Sequence, residues 1–217
     1  MRSAVIFFHS NALSIYKKEW IEQCVDSIRN QSMKEFEVYE IDYSGAGQSL
    51  CKIDGHKYHF VSKKLGNHIQ AMNFIINKAF KSGCDLVFNT NVDDYFSPKR
   101  FEKQLKLIES GFDIVSSNFY YINDSGIIRN MDMFRHGSIK KNLGRNHNVI
   151  AHPCVAMSRN FWDLKFRYNE KLVGKEDLDL WQRSIDKCNF YILPDYLLFY
   201  RIHENQITKE FKVHQQL

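Results

Sequence analysis

Leu86-Val87-Phe88-Asn89-Thr90-Asn91-Val92-Asp93-Asp94 is an apolar run that stops abruptly in amides and carboxylates. Leu86 to Phe88 have the length and composition of a buried central strand. The residues after them would emerge at its carboxyl edge, where open α/β sheets bind ligands. An acidic pair there suits a hard divalent cation and phosphate oxygens. The competing reading is a strand-to-helix turn, because Ser97-Pro98 is a good N-cap and N1 pair and Asp94 or Ser97 would simply cap the next helix. The local sequence does not choose between the two.

Outward from this run, strands and helices alternate. Ala4 to Phe8 reads as a strand, Lys17 to Asn30 as a helix with Trp20, Cys24, Val25 and Ile28 inward, and Phe36 to Ile41 as a second strand. A short strand at Tyr58 to Val61 precedes a helix from about His68 to Lys81, where Met72, Ile75, Ile76, Ala79 and Phe80 recur at helical spacing. Polar turns follow three of the strands: His9-Ser10-Asn11, Asp42-Tyr43-Ser44-Gly45 and Asn91-Val92-Asp93-Asp94. A parallel sheet would bring all three to one edge. After a helix carrying Phe101, Leu105 and Ile108 on one face, the pattern changes to a strand at Ile114 to Ile122 and a hairpin turn at Asn123-Asp124-Ser125-Gly126. A Lys/Arg/Asn/His-rich stretch from Arg135 to Asn148 reads as a loop, and Val149 to Met157 as extended chain. A helix beginning near Glu176 would turn Leu178, Trp181 and Ile185 inward, and a strand at Tyr196 to Tyr200 follows, with a fraying tail after Thr208. The expected fold class is α/β, with a mixed central sheet flanked by helices.

Composition narrows the function. With 217 residues and 44% hydrophobic content the chain fits one sizeable domain. No apolar run approaches the eighteen or so residues of a membrane span, and the N-terminal run is too short for a signal peptide. Five scattered cysteines without a Cys-x-x-Cys pair point to reduced thiols in the core and a cytoplasmic setting. A net charge of +5 with both signs interspersed falls short of a nucleic-acid footprint. There is no Gly-x-x-x-x-Gly-Lys-Ser/Thr, and no Gly-x-Gly-x-x-Gly follows the first strand, which argues against P-loop NTPases and Rossmann dehydrogenases. Bound phosphates would then need a metal.

Two further groups carry chemistry. Glu176 and Asp177 open the helix of Gly174-Lys175-Glu176-Asp177-Leu178-Asp179-Leu180-Trp181. There they serve either the helix dipole alone or as a general base kept ionised by it. His203, in Phe199-Tyr200-Arg201-Ile202-His203, is either structural or, with Asp93, half of an oxygen and nitrogen site of the kind Mn²⁺ tolerates. His136, His147 and His152 lack a metal-ligand spacing.

Taken in order, these elements resemble the family 2 glycosyltransferases of the GT-A fold, from about Ala4 to Thr208. The first strand with His9-Ser10-Asn11 looks like the family's opening strand and its Pro-Thr-Tyr-Asn turn, with only Asn11 agreeing in type. Asp42 matches the aspartate that meets the nucleoside, and Gly66 to Asn73 is similar to the Gly-Ala-Asn pattern. Asn91-Val92-Asp93 stands at the Asp-x-Asp motif. Glu176-Asp177-x-Asp179-Leu180-Trp181 looks like Glu-Asp-x-Asp-Leu-Trp, and Tyr200-Arg201-Ile202-His203 like Tyr-Arg-x-His. One departure is Asn91, whose amide adds no charge to offset a cation.

The resemblance implies a single GT-A domain over 1–217, with a Rossmann-like nucleotide-binding half to about residue 95 and an acceptor-side half from about 96. It implies inverting, Mn²⁺- or Mg²⁺-dependent transfer from a nucleotide-diphospho-sugar, by default a UDP-sugar, to a hydroxyl of a glycan or glycoconjugate. Asp177, or else Glu176, would be the base, and Asp93 and His203 would hold the metal. Phe8, His9, Ser10, Asp42, Asn73, Asn91 and Val92 would line the donor site, and residues 135–148 would form an acceptor-side lid or a plain solvated loop. Two alternatives stand beside this. One is a catalytically weak or inactive glycosyltransferase-like nucleotide- or glycan-binding module of a larger glycosylation protein; the other is a metal-dependent phosphodiesterase or nucleotidyltransferase, which would need more carboxylates on adjacent strands.

Overall fold

Strand β1 (Ser3–His9) is buried along nearly its whole length because both of its faces are covered, as the unbroken run Ala-Val-Ile-Phe-Phe requires. The computed structural model describes residues 1–133 and 138–206. β1 pairs in parallel with β2 (Phe36–Asp42) on one side and β4 (Leu86–Asn89) on the other, and β2 pairs in parallel with β3 (Tyr58–Ser62). Helix α1 (Ala12–Ile15) is a single turn after β1, and α2 (Lys18–Arg29) buries Ile21, Cys24, Val25 and Ile28. Trp20, expected inward, is only half-buried, since its indole N–H reaches out to Asp124 Oδ1 at 2.9 Å. Helix α3 (His68–Lys81) is capped by the Asn67 side chain, which accepts from the Gln70 N–H, and its apolar stripe packs on β1, β2 and β4.

Beyond β4 the sheet becomes mixed. Antiparallel β8 (Ala156–Ser158) joins β4 to β6 (Ile114–Asn123), which is flanked by parallel β9 (Phe190–Arg201) and by the hairpin partner β7 (Gly126–Met131). A two-residue strand, β5 (Tyr95–Phe96), pairs antiparallel with β9. It displaces the expected cap: α4 (Arg100–Glu109) starts after Lys99, while the Ser97 N–H is taken by Leu197 O at 3.1 Å. Asp94 is not a helix cap either, since its Oδ1 accepts the Arg201 N–H at 2.8 Å.

Three further expectations are corrected. The basic stretch is not a simple loop, because Ser138 caps helix α5 (Ile139–Gly144) and Leu143 is buried; residues 134–137 and the tail after Thr208 lie outside the described residues. Val149 to Met157 is not one strand: Asn148 Oδ1 accepts the Ile150 N–H and Pro153 favours a 3₁₀ turn at His152–Cys154, leaving only β8 extended. Ser158 then caps the short α6 (Arg159–Asp163). In α7 (Glu176–Ser184) the inward stripe is Glu176, Leu180, Trp181 and Ser184, with Leu178 half-buried, because the stripe is turned to bring Glu176 inside. All five cysteines are buried free thiols. No helix among the described residues is long and apolar enough to cross a membrane.

Candidate active site

Parallel pairing brings His9 level with Asp42, so the turns after β1, β2 and β4 open at one sheet edge, as the strand order predicted. A cavity of about 450 Å³ lies there, bordered by Phe8, His9, Ser10, Asn91, Val92, Asp93, Glu176 and Asp177 among others.

The loop after β4 is gripped from beneath. Buried Arg100 donates to Asn89 O at 2.6 Å, Thr90 Oγ1 donates to Ile6 O at 2.7 Å, and Arg201, at the end of β9, donates through Nε to Asp93 O at 2.9 Å. Asp94 is buried with Oδ2 unpartnered; burial first, and the neighbouring Asp93 second, push its pKa well above the carboxylate range. Asp94 is therefore turned into the protein, and Asp93 is the carboxylate this loop presents to the cavity.

Asp93 Oδ2 meets His203 Nε2 at 2.9 Å, across 110 residues of sequence. The His203 ring is fixed by Tyr16, edge-on at 5.5 Å, and by Trp20 at 5.1 Å. One carboxylate oxygen and one imidazole nitrogen side by side form a donor pair that would accept a divalent cation. The donor chemistry thus fits a divalent cation, with one cost. His203 Nδ1 accepts the Asn205 N–H at 3.2 Å, which places the ring proton on Nε2; holding a metal through Nε2 would require that proton on Nδ1 and the loss of the Asn205 bond. Among the described residues no third His, Cys, Asp or Glu joins the pair.

Asp177 and Glu176 are supplied by the first turn of α7. Asp177 Oδ2 accepts from Asn148 Nδ2 at 2.7 Å and Oδ1 from the Leu178 N–H at 2.7 Å, so the side chain is anchored while it borders the cavity. Glu176 is buried. Its Oε1 accepts from His68 Nε2 at 3.0 Å, and Oε2 has no protein donor. Burial opposes its ionisation, yet the hydrogen bonds from His68 and from its own backbone N–H outweigh burial and hold its pKa below the ordinary value. Buried His152, bonded to Tyr168 Oη at 2.9 Å, is held neutral by its desolvation.

Two expected donor-site residues, Asp42 and Asn73, lie off the cavity wall, and His9 borders it. The Asp42 carboxylate accepts the Ser44 N–H and O–H and the Gln48 N–H, so it closes its own turn and does not border the cavity. Asn73 clamps the backbone of Tyr168 through both ends of its amide. That holds the segment leading to α7. His9 borders the cavity, but its Nε2 donates to buried Glu40 at 2.7 Å, a carboxylate that also accepts the Leu50 and Cys51 N–H groups. Asn148 and His68 escaped the sequence reading because their partners lie 29 and 108 residues away. A histidine at the start of the apolar face of α3 was the available signal for His68.

A parallel Rossmann-like half joined to a mixed half, with carboxylates gathered at the shared edge, is the architecture of a GT-A glycosyltransferase. The chain belongs to glycosyltransferase family 2, whose model, Glycosyl transferase family 2, matches residues 4–165. It is 33% identical over 203 residues to an uncharacterized glycosyltransferase of Methanocaldococcus jannaschii, covering 85% of this chain and 67% of that one. It is 24% identical over 208 residues to the amylovoran biosynthesis glycosyltransferase AmsE of Erwinia amylovora, covering 91% and 77%. Among solved structures it is similar to S. aureus TarS 1-349 in complex with UDP-GlcNAc, with a TM-score of 0.72 at 17% identity, a likeness of fold. That match covers 97% of this chain and 62% of the TarS chain, so the chain spans about three fifths of it.

Proposed function

We propose that this chain transfers a sugar, with inversion, from a UDP-sugar to a hydroxyl of a glycan or glycoconjugate, with Mn²⁺ or Mg²⁺ bound at Asp93 and His203. One observation carries the metal dependence. Among the described residues the cavity is bordered by three carboxylates, Asp93, Glu176 and Asp177, and by no lysine or arginine. A cation that offsets the charge of an entering diphosphate suits such a wall. Asp93 and His203 are the pair whose spacing suits one, and its remaining positions would fall to diphosphate oxygens and water. When bound, the ion supplies Lewis-acid stabilisation of the leaving diphosphate, a contribution of several kcal/mol in general. UDP is favoured over other nucleotides by the likeness to the TarS complex.

The chain's own residues do the rest. Asp177, anchored by Asn148, takes the proton of the acceptor hydroxyl as that oxygen attacks the anomeric carbon from the side opposite the diphosphate. Glu176 is the weaker candidate for the base because His68 already occupies Oε1. Asn91 and Val92 border the donor, and Arg201 and Arg100 keep the loop in place from below.

Binding of a UDP-sugar, followed by calorimetry with and without Mn²⁺, tests the reading. Metal-dependent binding and release of UDP in the presence of acceptor are expected; a wild-type protein that binds no nucleotide sugar under either condition would defeat it.

A further inference from the structure

We propose that the donor sugar is a neutral or amine-bearing hexose and that this site rejects uronic acids, through the negative charge of Glu176 beside the base. The inference rests on the donor reading above and adds the class of sugar. In-line transfer requires the sugar to lie between the diphosphate at Asp93 and the acceptor oxygen at Asp177, with reacting atoms about 3–3.5 Å apart. The neighbours of Asp177 therefore wall the sugar.

Those neighbours are Glu176, adjacent in the chain, His68, bonded to Glu176 Oε1, Asn148, bonded to Asp177 Oδ2, and His152. None of them is a lysine or an arginine. The His68 N–H and one Asn148 N–H are already spent on the two carboxylates, and His152 is bonded to Tyr168. The wall presents acceptors instead, including Glu176 Oε2, which is buried without any donor. A carboxylate oxygen in that state calls for an O–H or N–H, and the soft terminal torsion of glutamate lets a small turn bring it to the cavity. Sugar hydroxyls or an ammonium group supply what is missing. A C6 carboxylate brings a second negative charge with no cation among the described lining residues to meet it.

The test is a charge series on one nucleotide: UDP-glucosamine, UDP-glucose and UDP-glucuronate, titrated by calorimetry with saturating Mn²⁺ against wild type and Glu176→Gln. In wild type, UDP-glucuronate should bind at least about tenfold more weakly than UDP-glucose, and UDP-glucosamine at least as tightly as UDP-glucose. Glu176→Gln should narrow the glucuronate gap by severalfold and weaken UDP-glucose. Equal wild-type affinity for glucose and glucuronate overturns the inference while leaving the donor site intact. An undiminished gap in the variant overturns the role of Glu176. If none of the three binds, the UDP-sugar function fails with it.

Discussion

Replacing Asp177 by asparagine isolates the base, because the side chain keeps its shape while its proton affinity is removed. Asp177 accepts two hydrogen bonds, from Asn148 Nδ2 and from the Leu178 N–H. Asparagine satisfies only one of these donors, since its own NH₂ faces the other. Asn148 cannot flip to compensate without giving up the Ile150 N–H that its Oδ1 accepts. One lost hydrogen bond, at about 1 kcal/mol, adds to the lost negative charge in the first turn of α7, at about 0.3–1 kcal/mol. The variant should therefore lose about 1–2 kcal/mol, or roughly 2–8 °C in Tm for a chain of this size. Transfer is another matter: removing a general base should lower kcat by about 10²–10⁴, equivalent to roughly 3–5 kcal/mol of barrier. Donor affinity should stay within about threefold of wild type, because the metal and diphosphate contacts are untouched. Melting curves, donor titration and UDP release in the presence of acceptor separate the three effects. Wild-type turnover in the variant would refute the base assignment. A loss of donor binding in step with the loss of rate would show that Asp177 holds the donor instead.

Asp93→Asn keeps an acceptor for His203 but removes the charge, and His203→Ala removes the nitrogen ligand; each should weaken Mn²⁺-dependent donor binding by at least about tenfold. Calorimetry with and without metal checks this, and unchanged metal dependence in both variants would place the ion elsewhere. Arg100→Leu strands the Asn89 carbonyl and Gln104 Oε1, both bonded to the buried guanidinium, and should cost at least about 2 kcal/mol in urea unfolding, whereas a neutral result would mean these groups find other partners. Glu37 clamps the ends of β1 and β3: burial opposes its ionisation, but hydrogen bonds from Arg2 and His59 prevail and pull its pKa from 4.5 to about 2. A carboxylate depressed in the folded state stabilises fully above pH 4.5 and loses that contribution as pH falls towards 2. The acid slope of Tm against pH should therefore flatten over this window in Glu37→Gln, and an identical slope would exclude the clamp.

Much of the first half was readable in one dimension. The strand run of β1 and the 3.6-residue stripe of α3 depend on local periodicity, and the order of polar turns follows from where apolar runs stop. The second half was less readable because tertiary partners reshape it. Residues 95–96 become a strand only because β9 offers a ladder, and the stripe of α7 turns because His68 draws Glu176 inward.

The sequence alone therefore determined which residue types gather at the sheet edge, since an apolar run ending in polar residues marks a strand's carboxyl end whatever surrounds it. Only the tertiary structure decided which of those residues face the cavity. Asp42, Asp93 and Asp94 all follow strands, yet Asp42 is consumed by its own turn, and Asp94 is buried against the Arg201 backbone. Asp93 alone of the three borders the cavity, meeting His203 from the far end of the chain. The reason is physical: a carboxylate's orientation and charge are set by the donors and the burial it finds, and those come from residues that folding brings near.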